Sequence, residues 1–141
     1  MRRGVLRHGL LVATLALATA VPATAVPPPP PRAEAFVELA PNGPEQVVRD
    51  TVRAYQPVPI SFAAMAGDRL LLRLKDAEHV LVLQLDTPSG LPWISGVQPG
   101  PDGIDLWFAQ TGVHRLLVLM SADAARTGRA ANFELGLRLR R

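Results

Sequence analysis

Cysteine is absent from the 141 residues, which excludes disulfides, thiolate chemistry and lipid attachment at a cysteine. Acids are absent from the first 25 residues, where Arg2, Arg3 and Arg7 precede an apolar run over residues 9–21. That run is too short and too interrupted, by Thr14 and Thr19, for the roughly 20 apolar residues that a membrane-spanning helix needs. No membrane anchor is expected. Small residues follow in A-x-A register, Ala18-Thr19-Ala20 and Ala23-Thr24-Ala25. This order of basic, apolar and small residues reads as a cleavable secretory signal over residues 1–25, with the second site favoured, and places the protein in the periplasm or outside the cell.

Excess charge is also lacking once that segment is set aside. Without Arg2, Arg3 and Arg7, the fifteen basic side chains fall to twelve, against twelve acids. The sequence pI of about 10.5 therefore belongs to the precursor, and binding to nucleic acid or an anionic membrane loses its support. Five consecutive prolines, Pro27 to Pro31, cannot donate backbone hydrogen bonds. Residues 26–35 read as a stiff, extended leader. Residues 36–141 are enough for one domain with its own core and too few for two.

Along that domain, apolar or alternating segments recur between Gly, Pro, Asp and Asn breakers, giving expected strands at residues 46–53, 58–65, 69–75, 79–85, 93–97, 104–109, 113–120 and 132–140. The last shows the period clearly: Phe133, Leu135, Leu137 and Leu139 share one face, and Glu134, Gly136, Arg138 and Arg140 the other. Residues 80–83 and 116–120 are apolar on both faces and are placed in the middle of a sheet. Residues 122–126 favour a turn of helix that Gly128 is positioned to end. The fold class is all-β: an antiparallel β-sandwich of about eight strands with one short helical turn before the last.

Little catalytic chemistry is available to this chain. Beyond the first 25 residues it has two histidines, His79 and His114, and no serine in a nucleophile-elbow context. Two histidines without a clustered third ligand do not make a zinc site. The nearest acid pairs, Asp102 with Asp105 and Asp76 with Glu78, lie at turns without the ligand spacing of a calcium loop and read as solvated turn acids. No cofactor is expected and the chain is read as not an enzyme. Arg138 and Arg140 alternate with leucines and have no interleaved aromatics for base stacking, so they read as the wet face of a strand. Trp107, between Leu106 and Phe108, is assigned to the core, and Trp93 to either core or surface.

One stretch carries a more specific signal. Gln110-Thr111-Gly112-Val113-His114 leads into an apolar strand ending at Met120, followed by Ala124-Ala125-Arg126-Thr127-Gly128-Arg129-Ala130-Ala131-Asn132-Phe133. This resembles the closing half of the periplasmic lysozyme-inhibitor domains directed at goose-type and invertebrate-type lysozymes, themselves similar to the pre-peptidase C-terminal β-sandwich. Those domains carry a Ser-Gly-x-Tyr turn, a Met-Arg-x-Ala-Ala-Arg-Arg-Gly turn and a final strand opening on Ala-Asn-Tyr. Here Thr111 stands for the Ser, His114 for the Tyr, Ser121 and Thr127 for two of the arginines, and Phe133 for the last Tyr. The likeness spans about residues 58–140.

What the resemblance implies is a binding module that occludes the cleft of a muramidase, a goose-type or invertebrate-type lysozyme, through Thr111, Gly112, His114, Arg126 and Arg129. Hydroxyl, imidazole N–H and guanidinium can all donate to a catalytic carboxylate. The alternative reading is a pre-peptidase-like accessory sandwich that binds glycan or another envelope protein. The oligomeric state is not readable from the sequence.

Overall fold

The computed structural model describes residues 27, 30–99 and 102–141; the expected signal segment lies outside them. The described chain forms nine strands: β1 (Ala35–Phe36), β2 (Gln46–Arg53), β3 (Val58–Ala64), β4 (Arg69–Lys75), β5 (Leu81–Asp86), β6 (Pro92–Val97), β7 (Ile104–Trp107), β8 (Gly112–Met120) and β9 (Ala130–Arg140). One helix, α1 (Ala122–Arg126), precedes β9. A five-stranded sheet, ordered β1-β3-β8-β5-β6, faces a four-stranded sheet, ordered β2-β9-β4-β7. This is the all-β sandwich read from the alternation.

Period two accounts for the packing. Phe133, Leu135, Leu137 and Leu139 of β9 all point inward and are buried, opposite Ile60 and Phe62 of β3 and Leu116 and Val118 of β8. Each such side chain contributes about 1.5–3 kcal/mol when fully removed from water, so a core built this way needs no covalent staple. β8 is the middle strand of its sheet and β5 lies beside it, as their doubly apolar sequences require. Their outer face is covered only in part: Leu117 is buried there, while Val82 and Leu119 are half-buried.

Two features of the strands differ from the sequence reading. β1 is a ninth strand, two residues long and parallel to β3, with Ala35 opposite Ile60 and Phe36 opposite Ser61. A pairing so short has no periodicity to detect. Trp107 is not in the core: Ile104 and Leu106 turn inward, so parity puts Asp105 and Trp107 outward, and Trp107 is 61% exposed.

α1 forms as expected. Ala124 and Ala125 face the core, and the N–H groups of Thr127 and Gly128 donate to the carbonyls of Ala124 and Ala125, with Gly128 at φ +69° closing the turn. Asp76 is not a solvated turn acid. It is buried and accepts the backbone N–H groups of Glu78, Val80 and Leu81 at 3.1, 2.7 and 2.7 Å, which fixes the connection between β4 and β5.

Candidate interaction surface

The chain reverses direction at both ends of the sandwich, and the candidate residues divide between those ends. Thr111 and Gly112 stand at the start of β8, whereas Arg126 and Arg129 follow its end. Nine residues of strand at about 3.3 Å each separate the two groups by roughly 30 Å. The five residues therefore do not form one loop.

At the Thr111 end, three connections converge. Thr111 Oγ1 accepts the Ala66 N–H at 2.9 Å, Gly67 N–H donates to the Phe108 carbonyl at 2.8 Å, and Phe108 N–H returns to the Asp68 carbonyl at 2.9 Å. Gly112 takes φ +148°, and a Cβ placed on it would lie 2.9 Å from Pro88 Cβ. Glycine is what lets the loop after β5 close against β8. The carboxylate of Asp68, 1% exposed, accepts the Met65 N–H and a two-pronged contact from the terminal Arg141, at 2.8 Å from Nε and 3.0 Å from Nη2. The Arg141 bonds hold the Asp68 pKa below its ordinary 3.8, against the opposing effect of burial.

Beneath these loops lies His114. Only 1% of it is exposed; its ring stacks on Phe62 with centroids 5.9 Å apart and tilts against Phe108 at 4.4 Å. Burial lowers its pKa below the ordinary 6.5, partly offset by a hydrogen bond to the Gly112 carbonyl, 3.2 Å from Nδ1. The ring is thus a member of an aromatic core, and the His114 imidazole is not presented to a partner. Its inward direction follows from parity with Leu116 and Val118, which the neighbouring Val113 does not share.

Around Thr111 and Gly112, large apolar side chains face outward: Met65, Leu91, Trp93 and Val113. Trp93 also touches the aromatic core, its ring 5.7 Å from that of Phe108. Single exposed hydrophobics are ordinary on a protein surface; several at one end of the sandwich, on its loops and the adjoining strand starts, form a surface prepared for contact. The sequence reading missed Met65 and Leu91. Their signal was apolar character inside turn segments, next to Ala66-Gly67 and Ser89-Gly90.

At the far end, Arg126 lies 3.3 Å from Asp123 on the same helix, and Arg129 is ion-paired with Glu78 while its carbonyl accepts the Ala54 N–H at 2.9 Å. Both guanidinium groups already have acidic neighbours. A groove of about 1060 Å3 opens at this end, bordered by Arg49, Lys75, His79, Gln98 and Glu134; none of the five candidate residues lines it. Among the described residues, no helix is long and apolar enough to cross a membrane.

No family model matches the chain, and no curated protein does. Solved structures do. The chain is similar to the Aeromonas hydrophila PliG, a periplasmic lysozyme inhibitor of g-type lysozyme, at 11% identity and TM-score 0.58, over 77% of this chain and all of that one. The Salmonella Typhimurium PliG aligns at 16% identity and TM-score 0.59, over 76% and 98% of the two chains. The pre-peptidase C-terminal domain of a Bacillus anthracis collagenase aligns at 12% and 0.54, over 79% and 98%. The loops and core described above are therefore carried on the sandwich that the PliG inhibitors and the pre-peptidase C-terminal domain share.

Proposed function

We propose that the protein is an exported, non-enzymatic binding module of the lysozyme-inhibitor type, which covers the substrate cleft of a muramidase with the end of the sandwich that carries Thr111 and Gly112. The observation that carries this reading is the set of outward apolar side chains at one end of the sandwich, Met65 and Leu91 on its loops and Trp93 and Val113 at the starts of β6 and β8, beside the Thr111 hydroxyl that accepts the Ala66 N–H. A preformed loop end loses little conformational entropy on binding, and an apolar centre beside a polar donor is the composition of a protein interface.

In this arrangement the loop preceding β8 enters the cleft, and the exposed Thr111 hydroxyl donates to a carboxylate there. Glycosidases of this kind work through carboxyl groups flanking the scissile bond, so occluding one blocks turnover. His114 supports the loop from below. Arg126 and Arg129 lie at the opposite end and take no part in the contact. The likeness to PliG structures, spanning 97–100% of those chains, supports a g-type lysozyme as the first partner to test, and their periplasmic location agrees with the signal expected over residues 1–25.

The test is titration of the purified protein into lytic assays of goose-type, invertebrate-type and chicken-type lysozyme. Inhibition of the goose-type enzyme at micromolar concentration or below is expected, together with its loss in a Thr111→Glu, Leu91→Asp variant that keeps the wild-type melting temperature. Absence of inhibition of all three enzymes removes the proposal.

A further inference from the structure

The outer face of the four-stranded sheet carries a second surface, polar where the loop end is apolar, and its first row borders that end through Phe108, Asp68 and Arg141. On it, Trp107, Arg69 and Arg140 form one row across β7, β4 and β9, since Arg69 pairs with both others; Asp105, Leu71 and Arg138 form the next row. Arg69 is ion-paired with Asp105, and its guanidinium carbon lies 4.6 Å from the Trp107 ring centroid. That stack holds the indole in place while leaving Trp107 largely exposed. Arg138 and Arg140 are exposed and have no ion pair among the described residues.

Two features here work against stability. Arg69 and Arg140 are directly opposite one another across neighbouring strands, a like-charge arrangement that destabilises a sheet and that Asp105 offsets on the Arg69 side alone. Trp107 spends a large apolar ring on the outside of an edge strand, where it adds nothing to the core. Both become favourable if an anion sits over the arginines and a flat ring sits over the indole. Strand geometry sets the points where the arginine side chains leave the sheet at regular intervals, about 4.8 Å across strands and about 6.8 Å along β9, a scale comparable to a sugar residue. Arginine presents a planar fork that matches carboxylate and phosphate oxygens.

We infer that this face, Trp107 with Arg69, Arg138 and Arg140, binds an acidic polysaccharide, with a sugar ring stacked on Trp107 and its acid groups held by Arg138 and Arg140. Beyond residue 25 the chain carries equal numbers of basic and acidic side chains, so attraction to a polyanion is local to this face rather than a property of the whole molecule. The inference rests on the sheet face and not on muramidase inhibition, which uses the apolar side chains around Thr111.

The experiment is affinity electrophoresis of the purified protein in gels containing polygalacturonate, with its fully methyl-esterified, uncharged form as control. Retardation by polygalacturonate alone, weakening as salt rises, is expected. Arg138→Glu, Arg140→Glu should lower the apparent affinity by roughly tenfold or more, because each lost contact is a charge-assisted bond. Trp107→Ala, at a largely exposed position, should lower it several-fold with the melting temperature nearly unchanged. Absence of retardation overturns the inference, as does retardation that either variant leaves intact. Sedimentation with phosphatidylglycerol vesicles in the absence of polygalacturonate binding also overturns it and reassigns the face to anionic lipid.

Discussion

Replacing His114 with phenylalanine tests the core beneath the proposed binding loop through its response to pH. In the unfolded chain His114 titrates at its ordinary value of 6.5, whereas in the fold, burial between Phe62 and Phe108 holds the pKa lower. Above pH 6.5 the ring is neutral in both states, and its contribution to stability is fully present. As pH falls below 6.5 the unfolded state takes up the proton first, and stability declines until the pH passes through the folded pKa. The slope reaches at most about 1.4 kcal/mol per pH unit for one such group. With a urea m-value of about 1–3 kcal/mol per M, the denaturation midpoint falls by roughly 0.5–1.4 M over one pH unit of full slope.

Phenylalanine preserves the aromatic packing and loses the hydrogen bond to the Gly112 carbonyl, a net cost of about 1 kcal/mol that better apolar burial offsets. It has nothing to protonate. His79 and every carboxylate remain in both proteins, so the comparison isolates His114. Urea denaturation at half-unit steps between pH 8 and pH 5 should show the midpoint dropping for the wild type and nearly flat for His114→Phe. Parallel curves for the two proteins refute the assignment of His114 as a neutral core group.

Gly112→Ala places a Cβ against Pro88 at a φ that side chains rarely adopt; a loss of about 1–3 kcal/mol, measured by urea denaturation, and weaker muramidase inhibition are expected together. Arg141→Ala leaves the Asp68 carboxylate buried without its guanidinium, so amide exchange at Gly67 and Phe108 should accelerate and the melting temperature should fall. Because Asp68 is held below its ordinary 3.8, its stabilisation in the wild type is present above that pH and lost as pH falls through the lower folded value, a loss that Asp68→Asn should not show. Leu135→Ala, at a position with no exposure, should cost about 2–5 kcal/mol in chemical denaturation. Arg126→Ala with Arg129→Ala should leave inhibition of the goose-type enzyme unchanged in the lytic assay, since both lie at the end of the sandwich opposite Thr111.

Period two and burial are one physical fact, and this is why the strands could be read from the sequence. In β9 the leucines had to face a core for the arginines to reach water, and β2, β4 and β9 lie where their alternation put them. The same rule, applied strictly, would also have turned Trp107 outward; its apolar neighbours Leu106 and Phe108 suggested a core position only when the strand was read as a run rather than as two faces. β1 was not legible, because a two-residue parallel pairing depends on where the leader is held. Arg32 at Asp50 and Glu34 at Ser61 and Arg115 are the contacts that hold it.

The candidate site was less legible than the fold for a related reason. The resemblance grouped Thr111, His114 and Arg126 as one contact surface, but a strand is the most extended form a chain can take, so the residues on either side of β8 are among the most distant in the molecule. Side chains three apart in a helix share a face, whereas in a strand they oppose each other. Thr111 and His114 obey that second rule across the start of β8, one hydroxyl outside and one imidazole inside. In a sandwich, therefore, a binding surface is assembled from loops that are consecutive around one end rather than along the chain: residues 65–68, 87–91 and 108–112 meet because β3, β5 and β8 are neighbours with alternating direction. That grouping can be derived once strand order is known, and strand order is the quantity that periodicity does not encode.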